Sequence, residues 1–179
     1  VVARSVFTPA SNVVKPLILD GDELVLESIA LDETLLSQND FKIDASTLTI
    51  PSPPARRFTL TVTTRLDPAA NTKLMGLYRS SGNYCTQCEA EGFRRITYFL
   101  DRPDIMSVYT KRITAKKSEA PILLGNGNKI EDGDLKEGWH YAVWHDPHPK
   151  PSYLFALVGG QLGKVGGQFV TQSGRKVDL

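Results

Sequence analysis

The chain has 179 residues, of which 41% are hydrophobic and 23% charged, with 21 basic against 20 acidic side chains. A chain of this length buries roughly 70% of the surface its unfolded form exposes, so it holds a core without disulfides or metal. The near balance of charge removes the electrostatic reason to expect nucleic acid or anionic lipid as a partner, and no apolar run is long enough to span a membrane.

The chain opens on VVARSVFTPASNVVKP, where Arg4 and Lys15 flank no continuous apolar stretch, so no signal peptide is read there. A start at Val1 rather than Met points to an excised domain. LILDGDELVLESIAL reads as two strands, Leu17 to Leu19 and Leu24 to Leu31, joined through Asp20-Gly21. FKID and STLTI read as a second pair around Asp44-Ala45, and Pro51, Pro53 and Pro54 then break the chain. In FTLTVTTRL, Phe58, Leu60 and Val62 alternate with Thr59, Thr61 and Thr63, the mark of a half-buried strand.

The middle is less regular. ITYFLD suits either a short helical turn or a strand, and Gly76, Gly82, Gly92 and Pro103 interrupt the pattern around it. IMSVYTKRITA alternates again. Asn126-Gly127 and Asp132-Gly133 mark two tight turns. GWHYAVWHD reads as a strand with Trp139, Tyr141, Val143 and His145 on one side, and Asp146-Pro147-His148-Pro149 as a turn. YLFALVGG reads as a buried strand and QFVTQSGRKVDL as a hairpin around Ser173-Gly174. No helical period is sustained over the ~12 residues a typical helix needs. The expected fold is all-β, a single domain over 1–179, as a sandwich or a saddle-shaped sheet of antiparallel or mixed strands.

Several side chains invite chemistry. Cys85-Thr86-Gln87-Cys88 is a C-x-x-C, but the acidic Glu89 and Glu91 follow it and work against thiolate formation, and no second C-x-x-C completes a zinc site. Ordinary reduced cysteines are the expectation, with a redox pair as the competing reading. His140, His145 and His148 lack a standard ligand spacing, and no H-E-x-x-H, G-x-S-x-G or P-loop occurs. The glycine-rich GGQLGKVGG reads as a loop or a set of bulges. Gln87 and Glu89 stand two apart, so in an extended segment both project to one face, beside Cys85 and Glu91. Such a carboxylate and amide can receive a cation. The competing reading is a solvated acidic strand paired with Arg94 and Arg95.

The stretch Gly76 to Thr110 resembles the aminopeptidase N family of zinc metallopeptidases, above all in TQCEAEGFRRIT (Thr86 to Thr97) and LDRPD (Leu100 to Asp104). LLGNGN (Leu123 to Asn128), DPHPKPSYLFALVGG (Asp146 to Gly160) and the early LILDGDELVL are similar to further family segments, so the resemblance covers nearly the whole chain. Phenylalanine is more usual in the family where His148 stands, cysteine at Ser152 and alanine at Gly159. The resemblance implies an all-β saddle that roofs the active site of a downstream thermolysin-like domain. It implies that Glu89 helps hold the free α-ammonium of a peptide substrate and that Gln87 lines the pocket for the first side chain. It also implies Zn2+ in the intact enzyme, bound through H-E-x-x-H in the downstream domain, with G-A-M-E-N adding a second carboxylate. None of these motifs lies within 1–179, so this segment alone is expected to hold no metal and to cleave nothing. A scaffold that shares the fold without the metal is the alternative. Two unpaired cysteines fit the cytoplasm, or an organelle from whose protein a transit peptide has been removed.

Overall fold

The computed structural model describes residues 1–10 and 13–179. Short strands dominate it, and every strand pairing among the described residues is antiparallel. One sheet contains β1 (Val2–Phe7), β3 (Val25–Leu31), β4 (Thr34–Leu35) and β7 (Phe58–Arg65) in the order β1-β7-β3-β4. A second contains β2 (Leu17–Asp20), β5 (Lys42–Ile43) and β6 (Thr47–Ile50) in the order β2-β6-β5. The third has the order β11-β14-β9-β8, built from β8 (Gly76–Ser80), β9 (Asn83–Gln87), β11 (Ile122–Gly125) and β14 (Leu157–Gly160). The fourth is β10-β13-β12, from β10 (Ser107–Lys116), β12 (Asn128–Asp134) and β13 (Trp139–Lys150). A hairpin of β15 (Gln168–Val170) and β16 (Lys176–Asp178) follows.

The alternation in β7 does what its sequence predicts. Phe58, Leu60, Val62 and Thr64 are buried, and the intervening threonines are half-buried on the other face. The first two sheets meet across this row: Leu19, Leu48 and Ile50 come from one side, Ile29, Phe58, Leu60 and Val62 from the other, and Tyr98 packs with them. Each such side chain, fully buried, contributes roughly 1.5–3 kcal/mol. A second cluster joins Cys88, Phe93, Ile96, Phe99 and Tyr109. A third joins Ile113, Ala120, Leu123 and Ala142 between the third and fourth sheets.

The β5–β6 pair turns at Asp44 as expected, with the Asp44 carboxylate accepting from the Ser46 and Thr47 amides at 2.9 and 2.8 Å. The hairpin around Ser173-Gly174 forms as read. Three local expectations fail. Asp20-Gly21 does not turn a hairpin, because β2 pairs with β6 while β3 pairs with β7 and β4. The inward residues of β2 and β3 face each other across a core, which a hairpin cannot arrange. Instead Asp20 N donates to Phe99 O at 2.8 Å and Gly21 N to Ser46 O at 2.9 Å, so the chain leaving β2 is tied to its own side first. Asp132-Gly133 lies inside β12, with Gly133 opposite Tyr141. Residues 146–149 continue β13 to Lys150 rather than turning. Pairing of β13 with β12 ends at Asn128↔His145, so the two prolines fall where β13 keeps a neighbour on one side only. ITYFLD (96–101) is neither a helical turn nor a strand: the 3-10 turn Phe93–Arg95 ends just before it, and within it Phe99 makes an isolated bridge to Asp20.

Gly21 has no room for a side chain. A Cβ there would stand 2.2 Å from Cε1 of Tyr98, whose ring is itself buried. Gly21→Ala is expected to destabilise the fold by about 1–3 kcal/mol through overpacking, read as a lower urea midpoint. An unchanged midpoint would contradict this packing.

Candidate functional site

Gln87 ends β9, and the hydroxyl of the preceding Thr86 fastens that end to β14. It accepts from Leu157 N at 2.8 Å and donates to Leu157 O at 3.2 Å. Beyond Gln87 the chain folds back: Gly92 N donates to Cys88 O at 2.8 Å. Only glycine permits this return, because a Cβ at Gly92 would meet Gln87 O at 2.2 Å and Cys88 Cα at 2.9 Å. The Glu89–Ala90 peptide bond within the turn is cis.

Gln87 and Glu89 are exposed and Cys88 between them is buried, so the two side chains stand on the open side of the segment. Cys88 packs into the aromatic cluster below, where Phe93 meets Phe99 and Phe155 edge-on at 5.0 and 5.1 Å between ring centroids. The Gln87 side-chain amide donates to Glu89 O at 3.1 Å, which leaves its carbonyl oxygen with acceptor capacity. The extended face anticipated for Cys85, Gln87, Glu89 and Glu91 is shorter than expected. The strand stops at Gln87, and Glu91 lies within the turn that follows, where it pairs with Arg94 at 3.5 Å.

The competing reading, an acidic strand paired with Arg94 and Arg95, holds for Glu91, which pairs with Arg94, and not for Glu89, which pairs with neither arginine. Arg94 gives Nε to Asp101 at 2.9 Å and approaches Asp20 at 4.0 Å. Arg95 is bound by Asp22 and Glu23, and Lys73 is bound by Glu23 as well. Burial by itself would lower the Arg94 pKa, but its hydrogen bond to Asp101 and the charges of Asp20, Asp101 and Glu91 outweigh it and hold the pKa above the ordinary arginine value. Among the described residues the Glu89 carboxylate has neither an ion pair nor a hydrogen bond. An exposed carboxylate without a cation, beside a side-chain amide at a strand end, has the chemistry to accept hydrogen bonds from a cationic group.

The other candidates resolve differently. Cys85 and Cys88 are both free thiols. Burial, with a smaller push from the Asp101 charge, raises Cys88 to about 12, while Lys111 pulls weakly the other way. That is the reverse of a redox thiol. The three histidines are held apart in separate bonds: His140 Nε2 meets Ala120 O at 2.7 Å, His145 Nδ1 meets Thr110 Oγ1 at 2.8 Å, and His148 is exposed. Among the described residues no group of three or more His, Cys, Asp and Glu side chains is arranged to hold a metal ion. Residues 159–160 of the glycine-rich stretch form the end of β14, and the remainder runs without a strand, exposed except for the half-buried Leu162. Asp101 and Ser152, both buried and bonded to each other, are components that the sequence reading does not single out.

The sequence profile of the Peptidase M1 N-terminal domain matches residues 5–154. The chain belongs to that family. It is 52% identical over 165 residues to the aminopeptidase N of Caulobacter vibrioides, an alignment covering 92% of this chain and 19% of that protein. In structure it is similar to Legionella pneumophila aminopeptidase A in complex with aspartic acid, with a TM-score of 0.93, 38% identity, and coverage of 99% of this chain and 21% of that one. A mutant of the M1 zinc metallopeptidase of Deinococcus radiodurans bound to a Tyr-Ser-Ala substrate matches with a TM-score of 0.79 over 99% of this chain and 41% of that one. Its 16% identity speaks for the fold alone. The chain therefore spans about one fifth of the curated aminopeptidases N it matches.

Cys88 stays protonated when folded up to about 12, against an ordinary 9.0, so its contribution to stability is intact below pH 9 and is lost as pH climbs toward 12. At pH 8 a disulfide reagent such as DTNB is expected to label Cys85 first in the folded chain and Cys88 only after denaturation. Two thiols reacting at equal rates, or a Cys85–Cys88 disulfide, would contradict the assignment.

Proposed function

We propose that residues 1–179 form the single N-terminal, substrate-anchoring domain of a zinc-dependent aminopeptidase that removes N-terminal residues from peptides. The observation that carries this reading is the unneutralised Glu89 beside Gln87, on a turn whose nearby arginines are already paired. Family membership supplies the reaction class, and the turn supplies the part of it this chain performs.

A peptide with a free N-terminus presents one positive charge at a fixed distance from its first peptide bond. Glu89 receives that charge and sets the register, so that the bond to be cut arrives at the same place each time. Gln87, tied through Nε2 to the Glu89 backbone, limits the space open to the first side chain. On this reading the metal and the bond-breaking groups belong to a catalytic domain outside these residues; His140 and His145 are engaged with Ala120 O and Thr110 Oγ1, and 1–179 contains no H-E-x-x-H. When bound there, zinc supplies water activation and carbonyl polarisation. The proposed setting is the cytoplasm, where two unpaired cysteines persist.

In the intact protein, Glu89→Ala is expected to lower kcat/KM for an aminoacyl anilide at least about tenfold, since losing a desolvated charge partner costs about 2–5 kcal/mol. An unchanged kcat/KM sinks the role of Glu89. Residues 1–179 alone are expected to release no amino acid from the same substrate; hydrolysis by the purified segment would overturn the division of labour.

A further inference from the structure

We propose that Asp101 is a positioning residue for Glu89, acting through Arg94, and that Ser152 holds Asp101 in place. The inference rests on the reading of Glu89 as the ammonium anchor and adds the group that keeps it aimed.

The turn carrying Glu89 has little of its own to hold it. Among the described residues its backbone is closed by Gly92 N to Cys88 O at 2.8 Å, with the Gln87 side chain on Glu89 O as the other bond, and it passes directly into the 3-10 turn Phe93–Arg95. Gly92 precedes that turn and offers no side-chain cap. A helical turn begins with amides that lack partners, and a nearby side chain normally accepts from them. Here the acceptor arrives from seven residues further along: Asp101 Oδ2 takes Arg94 N at 3.1 Å. The same oxygen takes Arg94 Nε at 2.9 Å, and Asp101 O takes Arg94 Nη2 at 3.0 Å. Main chain and side chain of Arg94 are thus gripped by one residue.

Asp101 is itself fixed. Its side chain is 1% exposed. Oδ1 accepts from the buried Ser152 hydroxyl, at the connection between β13 and β14, and its amide donates to Asp20 Oδ2 at 3.1 Å, at the end of β2. β14 is the strand that flanks β9 on the side of Thr86, so Ser152 and Thr86 tie the two ends of the Gln87–Arg94 segment to the same stretch of chain. Losing the Asp101 charge leaves Arg94 with only the Asp101 carbonyl, Glu91 at 3.5 Å and Asp20 at 4.0 Å, so the turn that carries Glu89 is held less firmly.

A residue that only stabilises the fold and a residue that aims Glu89 differ in a double-mutant cycle. The cycle uses the intact protein, an aminoacyl anilide, and kcat and KM measured separately for Glu89→Ala, Asp101→Asn and the double variant. Asp101→Asn is expected to lower kcat/KM by about ten- to a hundredfold, the range seen when a reacting group is displaced from afar, with little further loss once Glu89 is alanine. Ser152→Ala keeps the Asp101–Arg94 pair, is expected to give a smaller loss with the same dependence on Glu89, and carries the test where Asp101→Asn does not fold. Losses that multiply, or no loss at either position while Glu89→Ala is impaired, overturn the positioning role alone. No loss on Glu89→Ala overturns the anchor itself and the proposal with it.

Discussion

The Asp101–Arg94 pair lies where the parts of this domain meet. Asp101 is almost wholly enclosed and Arg94 is 22% exposed, and between them they engage β2 through Asp20, the β13–β14 connection through Ser152, and the 3-10 turn through Arg94 N. Removing one partner of a buried pair typically costs about 3–5 kcal/mol, because the remaining charge has lost its compensation. Few single changes in this chain would disturb so many elements together.

The segment between the two residues explains why the pair matters. Residues 93–101 contain little regular structure, yet they feed two cores. Tyr98 packs with Leu19, Leu48 and Leu60, while Phe93, Ile96 and Phe99 pack with Cys88 and Tyr109. An irregular buried backbone must find its hydrogen bonds elsewhere. It does so through Phe99 with Asp20 and through Ile96 O, which accepts from the Thr64 hydroxyl at 2.9 Å. The proposed anchor and the core are therefore joined: the aromatic floor beneath Cys88 and the Asp101–Arg94 pair hold a turn whose exposed Glu89 carboxylate has no counter-ion among the described residues.

Much of this was legible in the sequence, for identifiable reasons. β7 declared itself because one buried face imposes period two, whereas the same period drew attention to Gln87 and Glu89 although β9 ends at Gln87 and Glu89 lies in the turn that follows. Asp20-Gly21 misled because a turn dipeptide reports local backbone preference, whereas pairing between sheets is decided by which faces bury together. Asp132-Gly133 misled for a related reason: β12 is an exposed edge strand whose polar composition imitates a loop. Asp101 could not be recognised as buried. It stands within the charged Leu100-Asp101-Arg102-Pro103-Asp104, and its neighbour Arg102 does pair in the open with Asp104 at 3.0 Å. Nothing local separates the enclosed aspartate from the exposed one. The partner that encloses it, Ser152, is 51 residues away.

The central claim is that Glu89 receives a substrate's α-ammonium, and the most direct measurement is a crystal structure of the intact protein with a free amino acid bound. The account predicts the ammonium nitrogen within hydrogen-bond distance, about 2.7–2.9 Å, of a Glu89 carboxylate oxygen, with the amino-acid side chain against Gln87. An amino acid whose ammonium is held entirely by other groups, with Glu89 turned to solvent, would contradict it.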